Sequence, residues 1–87
     1  MFLMYFTYIL KSLKNGDVYV GSTANLKQRI ALHNKGRVKS TKAYRPWKLM
    51  EYYELNSRSE AVKKELFLKT GQQKERLRSK YGHVAKW

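Results

Sequence analysis

The chain has 87 residues, no cysteine and a formal net charge of +13, from 19 Lys and Arg against 6 Asp and Glu. A chain of this length folds as one domain around one core, and without cysteine it has neither disulfides nor thiolate metal sites, which suits a reducing, cytoplasmic environment. The positive excess predicts a polyanionic partner, with nucleic acid first and an anionic membrane surface second.

The first ten residues are apolar, but they lack the basic start and the cleavage site of a signal peptide and are too short to span a bilayer. Tyr5 to Ser12 alternates with the period of a β-strand, Asn15-Gly16 predicts a tight turn, and Val18 to Gly21 is the returning strand. We therefore expect a β-hairpin and no membrane span.

Phe6, Tyr8 and Leu10 share one face of the predicted first strand, and Thr7 and Ile9 share the other. A two-residue turn would pair Tyr8 with position 23. Because paired residues share a face, Tyr19 then lies on the same face as Tyr8.

A helix is predicted next. Asn25 is a good N-cap, Leu26 and Ile30 have helical spacing, and Asn34-Lys35-Gly36 is a typical helix end. Arg29 and His33 are four residues apart, so their side chains point the same way.

The middle of the chain is strongly basic. No acidic residue occurs between Asp17 and Glu51, whereas a solvated surface normally mixes both signs. A merely solubilising surface is the alternative, but we favour a nucleic-acid contact in the loop from Gly36 to Pro46 and its flanks. The candidate phosphate-binding residues are Lys35, Arg37, Lys39, Lys42 and Arg45.

Trp47 to Leu55 is too apolar for a surface coil and predicts a third strand. Ser57 and Glu60 form a capping box that opens a second helix, in which Ala61, Val62, Leu66 and Leu68 are the apolar residues. Helical spacing from Ala61 and Leu68 places the carboxylate of Glu65 on the apolar, inward-facing side of this helix. Gly71 is expected to end this helix, and Gln72 to Lys80 to form a third.

The predicted fold is thus α/β of the α+β kind, a small mixed three-stranded sheet flanked by helices in the order β-β-α-β-α-α. Residues 1–80 form the domain and residues 81–87 a loose C-terminal tail.

These residues resemble a known family. Phe6-Thr7-Tyr8, Tyr19-Val20-Gly21, Asn25-Leu26, Arg29 and His33 are similar to the signature of the GIY-YIG nuclease superfamily. Further matches at His33-Asn34-Lys35-Gly36, Arg45-Pro46-Trp47 and Ser59-Glu60-Ala61 resemble its small stand-alone YhbQ-like members and the catalytic subunit of eukaryotic structure-specific resolvases. The resemblance implies an active site at Tyr8, Tyr19, Arg29 and Glu65.

The chain departs from that family pattern at two positions. Phe6 replaces the glycine of the first motif, a change expected to affect strand packing only. Ser22 stands where the excision-repair nucleases carry a lysine, so the cation that this lysine would supply must come from His33 or from a loop lysine such as Lys42.

The residue types also suit phosphodiester hydrolysis. A lone carboxylate with waters and phosphate oxygens is sufficient for Mg²⁺ or Mn²⁺, and Glu65 is the inward candidate. The Arg29 guanidinium matches phosphate oxygens. Tyr8 could be the general base if Arg29 or a metal lowered its pKa, and Tyr19 could orient the water or contact the phosphate.

Each residue also has an ordinary structural interpretation. A strand tyrosine usually packs, a helix arginine is usually solvated, and Glu65 could equally pair with Lys69 or Arg29. Ser22 and Thr23 are turn and capping residues rather than nucleophiles. The joint placement on one face favours catalysis.

The sequence predicts a metal-dependent endonuclease acting on DNA, including branched or damaged DNA, in repair or recombination, with a protein partner for targeting as a further expectation. A non-catalytic nucleic-acid-binding module and a partner-dependent subunit are the alternatives.

Overall fold

The computed structural model describes residues 4–81. Its elements are β1 (Tyr5–Ser12), β2 (Val18–Thr23), α1 (Leu26–Asn34), a short 3-10 turn (Lys42–Tyr44), β3 (Trp47–Leu55), α2 (Arg58–Leu68) and α3 (Gly71–Tyr81). The predicted α+β class and element order are confirmed. Residues 82–87 of the expected tail lie outside the described residues, so the domain boundary stays a prediction.

The three strands form one sheet in the order β2-β1-β3. Both pairings are antiparallel, so the sheet itself is not mixed in strand direction. The hairpin places β2 on one edge of β1, and the crossover through α1 returns β3 to the other edge. The first strand is therefore central, and β2 is an edge strand.

The register of the hairpin differs from the prediction by two residues. Tyr8 pairs with Gly21 and Leu10 with Tyr19, which confirms that the two tyrosines share a face. The turn has four residues, 13–16, rather than two. The N–H of Gly16 donates to the carbonyl of Ser12 at 2.9 Å, and Gly16 has a φ of 81°, which favours glycine.

The two faces of the sheet carry separate apolar clusters. On one face, Tyr8, Leu10 and Trp47 are buried beneath α1. On the other, Ile9 and Val20 are buried beneath α2 and α3, which contribute Leu68 and Leu77. The faces predicted for β1 are therefore those observed.

The ends of α1 follow the sequence prediction. The Asn25 side chain accepts from the N–H of Gln28 at 3.1 Å, and Gly36 follows the helix with a φ of 76°.

The second helix differs from the prediction in two respects. Ala61 and Leu68 are buried, but Val62 and Leu66 are exposed, because they lie roughly 100–150° around the helix from the buried stripe. Gly71 does not end this helix. The helix ends at Leu68, and Gly71 is the first residue of α3.

No helix within residues 4–81 combines the length and the apolar character that crossing a bilayer requires.

Candidate active site

The candidate site lies at the β2 edge of the sheet, where Tyr8 crosses Gly21. A Cβ placed on Gly21 would lie 2.5 Å from the Tyr8 hydroxyl and 3.0 Å from the Tyr19 ring. Only a residue without a side chain allows both phenols to approach the strand so closely. The glycine of the second motif is thus required by the position of the two tyrosines.

A buried hydrogen-bond chain begins at the Tyr8 hydroxyl. Its oxygen lies 2.8 Å from Nε2 of His33, and Nδ1 of His33 lies 2.8 Å from the hydroxyl of Thr41. All three residues are at most 1% exposed. A neutral imidazole has one donor and one acceptor nitrogen. When His33 takes up a proton at one ring nitrogen, it can therefore release a proton from the other.

Burial determines the protonation states of Tyr8 and His33. Burial is the main cause that raises the pKa of Tyr8 to about 12. The charges of Tyr19 and Glu65 add to this rise, while the nearby Arg29 guanidinium opposes it. Burial, aided by the positive charge of Arg29, lowers the pKa of His33 to about 4. At neutral pH the phenol is protonated and the imidazole is neutral.

The sequence made Tyr8 a general base on the condition that Arg29 or a metal lowers its pKa, and Arg29 alone does not meet this condition. Arg29 acts in the expected direction, but desolvation outweighs it. His33 also cannot supply the cation missing at Ser22, because it carries no charge at neutral pH.

Tyr19 lies beside the buried chain. Its ring contacts the ring of His33 edge to face at a centroid distance of 5.1 Å, and that of Trp47 at 6.2 Å. The Tyr8 and Tyr19 rings are 6.3 Å apart. The two phenols and the imidazole therefore form one aromatic group between β2 and α1.

Glu65 reaches the same edge from the opposite face of the sheet. Its Oε1 accepts from the Ser22 hydroxyl at 2.7 Å, and its Oε2 pairs with the Lys69 ammonium at 2.7 Å. The side chain is 20% exposed. Glu65 lies close enough to Tyr8 to affect its pKa. Of the two ion pairs considered from the sequence, the structure shows the one with Lys69.

The carboxylate of Glu65 suits a hard divalent ion. Residues 4–81 contain no group of three or more His, Cys, Asp or Glu that could enclose a metal. Mg²⁺ needs no such cage, because it keeps several waters and takes one or two carboxylates together with substrate phosphates. A cationic group already sits on this carboxylate, which shows that the position attracts positive charge. The residues present fit such an ion.

The basic loop is joined to the site by Thr41 and Trp47. The indole Nε1–H of Trp47 donates to the carbonyl of Thr41 at 2.9 Å. The side chain of Asn34 accepts from the N–H of Trp47 at 2.6 Å and donates to its carbonyl at 3.1 Å. The loop backbone is thereby held against α1 and β3.

The five predicted phosphate-binding residues of this region are exposed. Arg45 is partly committed to the loop itself, because its Nε donates to the carbonyl of Lys42 at 2.9 Å and its guanidinium lies over Gly36. The other four exposed residues are Lys35, Arg37, Lys39 and Lys42.

Sequence reasoning missed Thr41 and the contact between Ser22 and Glu65. Neither has a local signal, because Thr41 lies 8 residues from His33 and Ser22 lies 43 residues from Glu65. The ion pair between Glu65 and Lys69 could be predicted from the sequence, since Lys69 lies one helical turn after Glu65.

An open groove of about 530 Å³ lies between the sheet and α1 residues that flank Arg29 in sequence. Phe6, Leu26 and Tyr52 are among its lining side chains, and none of the five predicted catalytic residues lines it. Phe6 packs against Tyr52 with ring centroids 6.2 Å apart, in agreement with a packing role for this substitution.

One edge of an antiparallel three-stranded sheet thus carries two phenols, an arginine, a histidine and a glutamate, with helices on both faces. The model of the GIY-YIG catalytic domain matches residues 4–81, and the chain belongs to this family of nuclease domains.

Its relatives are small stand-alone proteins. A UPF0213 protein of Staphylococcus haemolyticus is 37% identical over 75 residues, which cover 85% of this chain and 90% of the relative. A UPF0213 protein of Staphylococcus saprophyticus is 35% identical over the same shares. The solution structure of a UPF0213 protein from Bacillus halodurans is similar with a TM-score of 0.52 and 30% identity, covering 91% of this chain and 86% of that one.

Proposed function

We propose that the protein is a metal-dependent endonuclease that hydrolyses phosphodiester bonds in DNA, including branched or damaged DNA, in repair or recombination. The observation that carries the proposal is the convergence of Tyr8, His33, Arg29 and Glu65 at the β2 edge. These side chains come from three different elements and both faces of the sheet.

Arg29 has the role of holding the phosphate. Its planar guanidinium can donate to two phosphate oxygens at once. Donors that are preorganised where negative charge develops are worth about 3–4 kcal/mol of barrier. Because Arg29 lies next to both Tyr8 and His33, the phosphorus would be held within reach of the phenol.

Tyr8 and His33 have the role of moving the proton. The attacking water forms the new bond to phosphorus and gives its proton to the Tyr8 oxygen, while the Tyr8 proton passes to Nε2 of His33. The Nδ1 proton of His33 leaves to solvent by way of the Thr41 hydroxyl, so that the imidazole stays neutral. The bond from phosphorus to the 3′ oxygen breaks, and this oxygen takes a proton from solvent. The products are a 5′-phosphate and a 3′-hydroxyl. Tyr19 orients the water beside the imidazole.

Glu65 would hold Mg²⁺ or Mn²⁺. Bound there, the ion would supply positive charge against the non-bridging oxygens of the phosphate. Ser22, which donates to the other carboxylate oxygen, keeps the side chain oriented at the edge of β2.

Glu65→Gln tests this function directly. The purified protein is incubated with supercoiled and branched DNA, with Mg²⁺ or Mn²⁺ and then with EDTA. We expect metal-dependent nicking by the wild type and none by Glu65→Gln, because the amide keeps the shape but loses the charge that binds the ion. Glu60→Gln, an exposed change on the same helix, should cleave normally.

The other outcomes identify the alternatives. Salt-sensitive binding without cleavage would indicate a non-catalytic binding module. Neither binding nor cleavage would indicate a subunit that depends on a protein partner. Wild-type cleavage by a folded Glu65→Gln protein would remove this residue from the mechanism.

A further inference from the structure

The open groove between α1 and the sheet has a lining that the proposed mechanism does not use. Its volume of about 530 Å³ falls within the roughly 300–1,000 Å³ of pockets that bind small molecules. We refer to it as the α1 groove. Its lining includes three residues of the sheet and three of the helix, which are Phe6, Tyr52, Glu54, Leu26, Lys27 and Ile30.

The α1 groove adjoins the candidate active site. Tyr52 pairs with Tyr8 across β1 and β3, so the two share a face of the sheet, and the Cα atoms of such a pair are about 4.5–5.5 Å apart. On the helix, Lys27 and Ile30 lie on either side of Arg29, which is close enough to Tyr8 to affect its pKa. A nucleotide whose phosphate is held by Arg29 therefore has its base within reach of the groove.

The sheet side of the α1 groove is an aromatic surface. Tyr52 is 51% exposed, and its ring centroid lies 6.2 Å from that of Phe6, which replaces the glycine of the first family motif. Aromatic side chains of this kind bind nucleic acid by stacking on the face of a base. A base inside a duplex has both faces covered by its neighbours, so this surface suits a base that has left the stack.

Glu54 gives the α1 groove two hydrogen-bond acceptors. Three other carboxylates, those of Glu51, Glu65 and Glu75, are each paired with a basic side chain. The Glu54 side chain is exposed, and no residue from 4 to 81 is hydrogen-bonded or ion-paired to it. Its two oxygens accept and do not donate, so they require donors from a ligand.

The base whose edge matches a carboxylate is guanine. Its N1–H and N2–H groups are adjacent donors, one for each carboxylate oxygen. Adenine and cytosine present one donor beside an acceptor nitrogen, and thymine presents one donor between two carbonyl oxygens that would repel the carboxylate. The two guanine donors lie on the edge used in base pairing, so they are available only when the guanine is unpaired.

We propose that the α1 groove binds one unpaired guanine of the DNA strand, stacked on Tyr52 and hydrogen-bonded to Glu54, next to the phosphate that is cleaved. The charges of the groove match such a nucleotide, because Lys27 on the helix suits its phosphate and Glu54 on the sheet suits its base. The identity of the ligand as DNA rests on the proposed function. The substrate class that the groove adds is DNA with an unpaired guanine, as in a bulge or at a branch.

The test is a binding measurement that needs no cleavage. Fluorescence anisotropy in EDTA compares labelled DNA duplexes that are fully paired, carry one bulged guanine or carry one bulged thymine. We expect the wild type to bind the guanine bulge roughly tenfold more tightly than the thymine bulge. Glu54→Gln should abolish this ratio, because the amide keeps one acceptor oxygen and turns a donor towards the other guanine donor.

Tyr52 is tested with the same duplexes. Tyr52→Ala should weaken binding of the guanine bulge roughly tenfold and leave that of the paired duplex unchanged, whereas Tyr52→Phe, which keeps the ring, should bind as the wild type does. The melting temperature verifies that each variant is folded. Unchanged binding of the guanine bulge by a folded Tyr52→Ala protein would overturn the proposal.

A matched control removes the same charge as Glu54→Gln from elsewhere. Glu60→Gln changes an exposed carboxylate on α2 that does not line the groove. It should keep the wild-type ratio between the two bulges. Equal binding of both bulges by the wild type, or an equal loss of the ratio in Glu54→Gln and Glu60→Gln, would overturn the proposal.

A second probe separates this proposal from the proposed function. Deoxyguanosine monophosphate and thymidine monophosphate are titrated into the isotopically labelled protein, and amide shifts at Phe6, Leu26, Tyr52 and Glu54 are followed by NMR. We expect larger shifts with the guanine nucleotide, and Glu54→Gln should remove the difference. A wild type that shows this difference but neither binds nor cleaves DNA would contradict only the proposed function. One that cleaves DNA without distinguishing the nucleotides or the bulges would contradict only the base site.

Discussion

At the scale of single residues, the site depends on close approaches that allow little change. Tyr8 is 1% exposed and its hydroxyl lies directly over Gly21. In a packed interior, such a side chain has no alternative rotamer to occupy when a neighbour grows. The Tyr8 phenol can therefore occupy this position only because Gly21, on the neighbouring strand β2, has no Cβ.

We predict that Gly21→Ala inactivates the protein. The new Cβ would lie 2.5 Å from the Tyr8 hydroxyl, so the phenol or the strand must move and the hydrogen bond to His33 is lost. The single-turnover cleavage rate should fall by about 10² or more, and overpacking should cost about 1–3 kcal/mol of stability.

Gly71→Ala is the control for this substitution, because a Cβ there meets no atom within 4 Å. It should leave the cleavage rate unchanged. Normal cleavage by Gly21→Ala would show that the position of the Tyr8 hydroxyl is not important for the reaction.

A second prediction concerns Thr41, which orients His33. Thr41→Val keeps the volume but leaves Nδ1 of a fully buried imidazole without its partner, at a cost of about 1–3 kcal/mol. The tautomer is then no longer held, so nitrogen-15 NMR of the His33 ring should change, and cleavage should slow roughly tenfold. Thr70→Val, an exposed change, is the control.

An unchanged His33 spectrum in Thr41→Val would exclude a positioning role. If Thr41→Val is less stable but the nitrogen-15 signals of the His33 ring are unchanged, the Thr41 hydroxyl stabilises the fold without orienting the imidazole.

At the scale of elements, α3 is attached to the sheet by apolar contacts of Leu77 and Tyr81 and by one polar cluster around Glu51. Leu77 is fully buried, and the carboxylate of Glu51 accepts hydrogen bonds from Tyr53 at 2.7 Å, Lys80 at 3.1 Å and Tyr81. Burial acts to raise the pKa of Glu51, but these donors outweigh it and lower the pKa to about 2.

The pH dependence of stability follows from this shift. Because the pKa of Glu51 is lower in the folded protein than in the unfolded chain, its contribution is present above pH about 4.5 and is lost as the pH falls towards 2. We predict that Glu51→Gln is less stable at pH 7 by about 1–2 kcal/mol and that this difference narrows between pH 5 and 2.

Chemical denaturation of both proteins across this pH range is the measurement. Glu54→Gln, an exposed change on the same strand, should leave stability nearly unchanged at every pH. A constant difference between wild type and Glu51→Gln would show that the charge of the carboxylate does not stabilise the α3 contact.

At the scale of the whole molecule, the net charge of +13 sets how the protein meets a polyanion. The exposed lysines and arginines of the basic loop lie in the segment that contacts the predicted catalytic residues, because Thr41 of this loop is hydrogen-bonded to His33. Association with nucleic acid should therefore be driven by counterion release and be steeply dependent on salt.

The basic loop gives a prediction at this scale. If the loop makes about three or four phosphate contacts, duplex affinity should have a log–log salt slope of roughly −3 to −4, and Lys39→Ala/Lys42→Ala should reduce it by about two. Backbone contacts carry no base information, so the loss should be equal across DNA sequences. An unchanged slope in this double variant would show that the loop faces away from the nucleic acid.

Local patterns in the chain were sufficient for the elements, their order and the faces of β1, because alternation and helical spacing depend on near neighbours. The strand ranges Tyr5 to Ser12 and Trp47 to Leu55, the cap at Asn25 and the shared face of Tyr8 and Tyr19 are all confirmed. The predicted hairpin register was wrong, because the register depends on hydrogen bonds of the four-residue turn.

The contacts of Tyr8 with His33, of His33 with Thr41 and of Glu65 with Ser22 were decided only by the folded chain. These contacts join α1, the basic loop and α2 across the two faces of the sheet. The protonation states were decided there too, because burial shifts the pKa values of Tyr8 and His33 in opposite directions. Residue types show which chemistry is available, whereas distance and desolvation, which exist only after packing, determine which groups can take part in it.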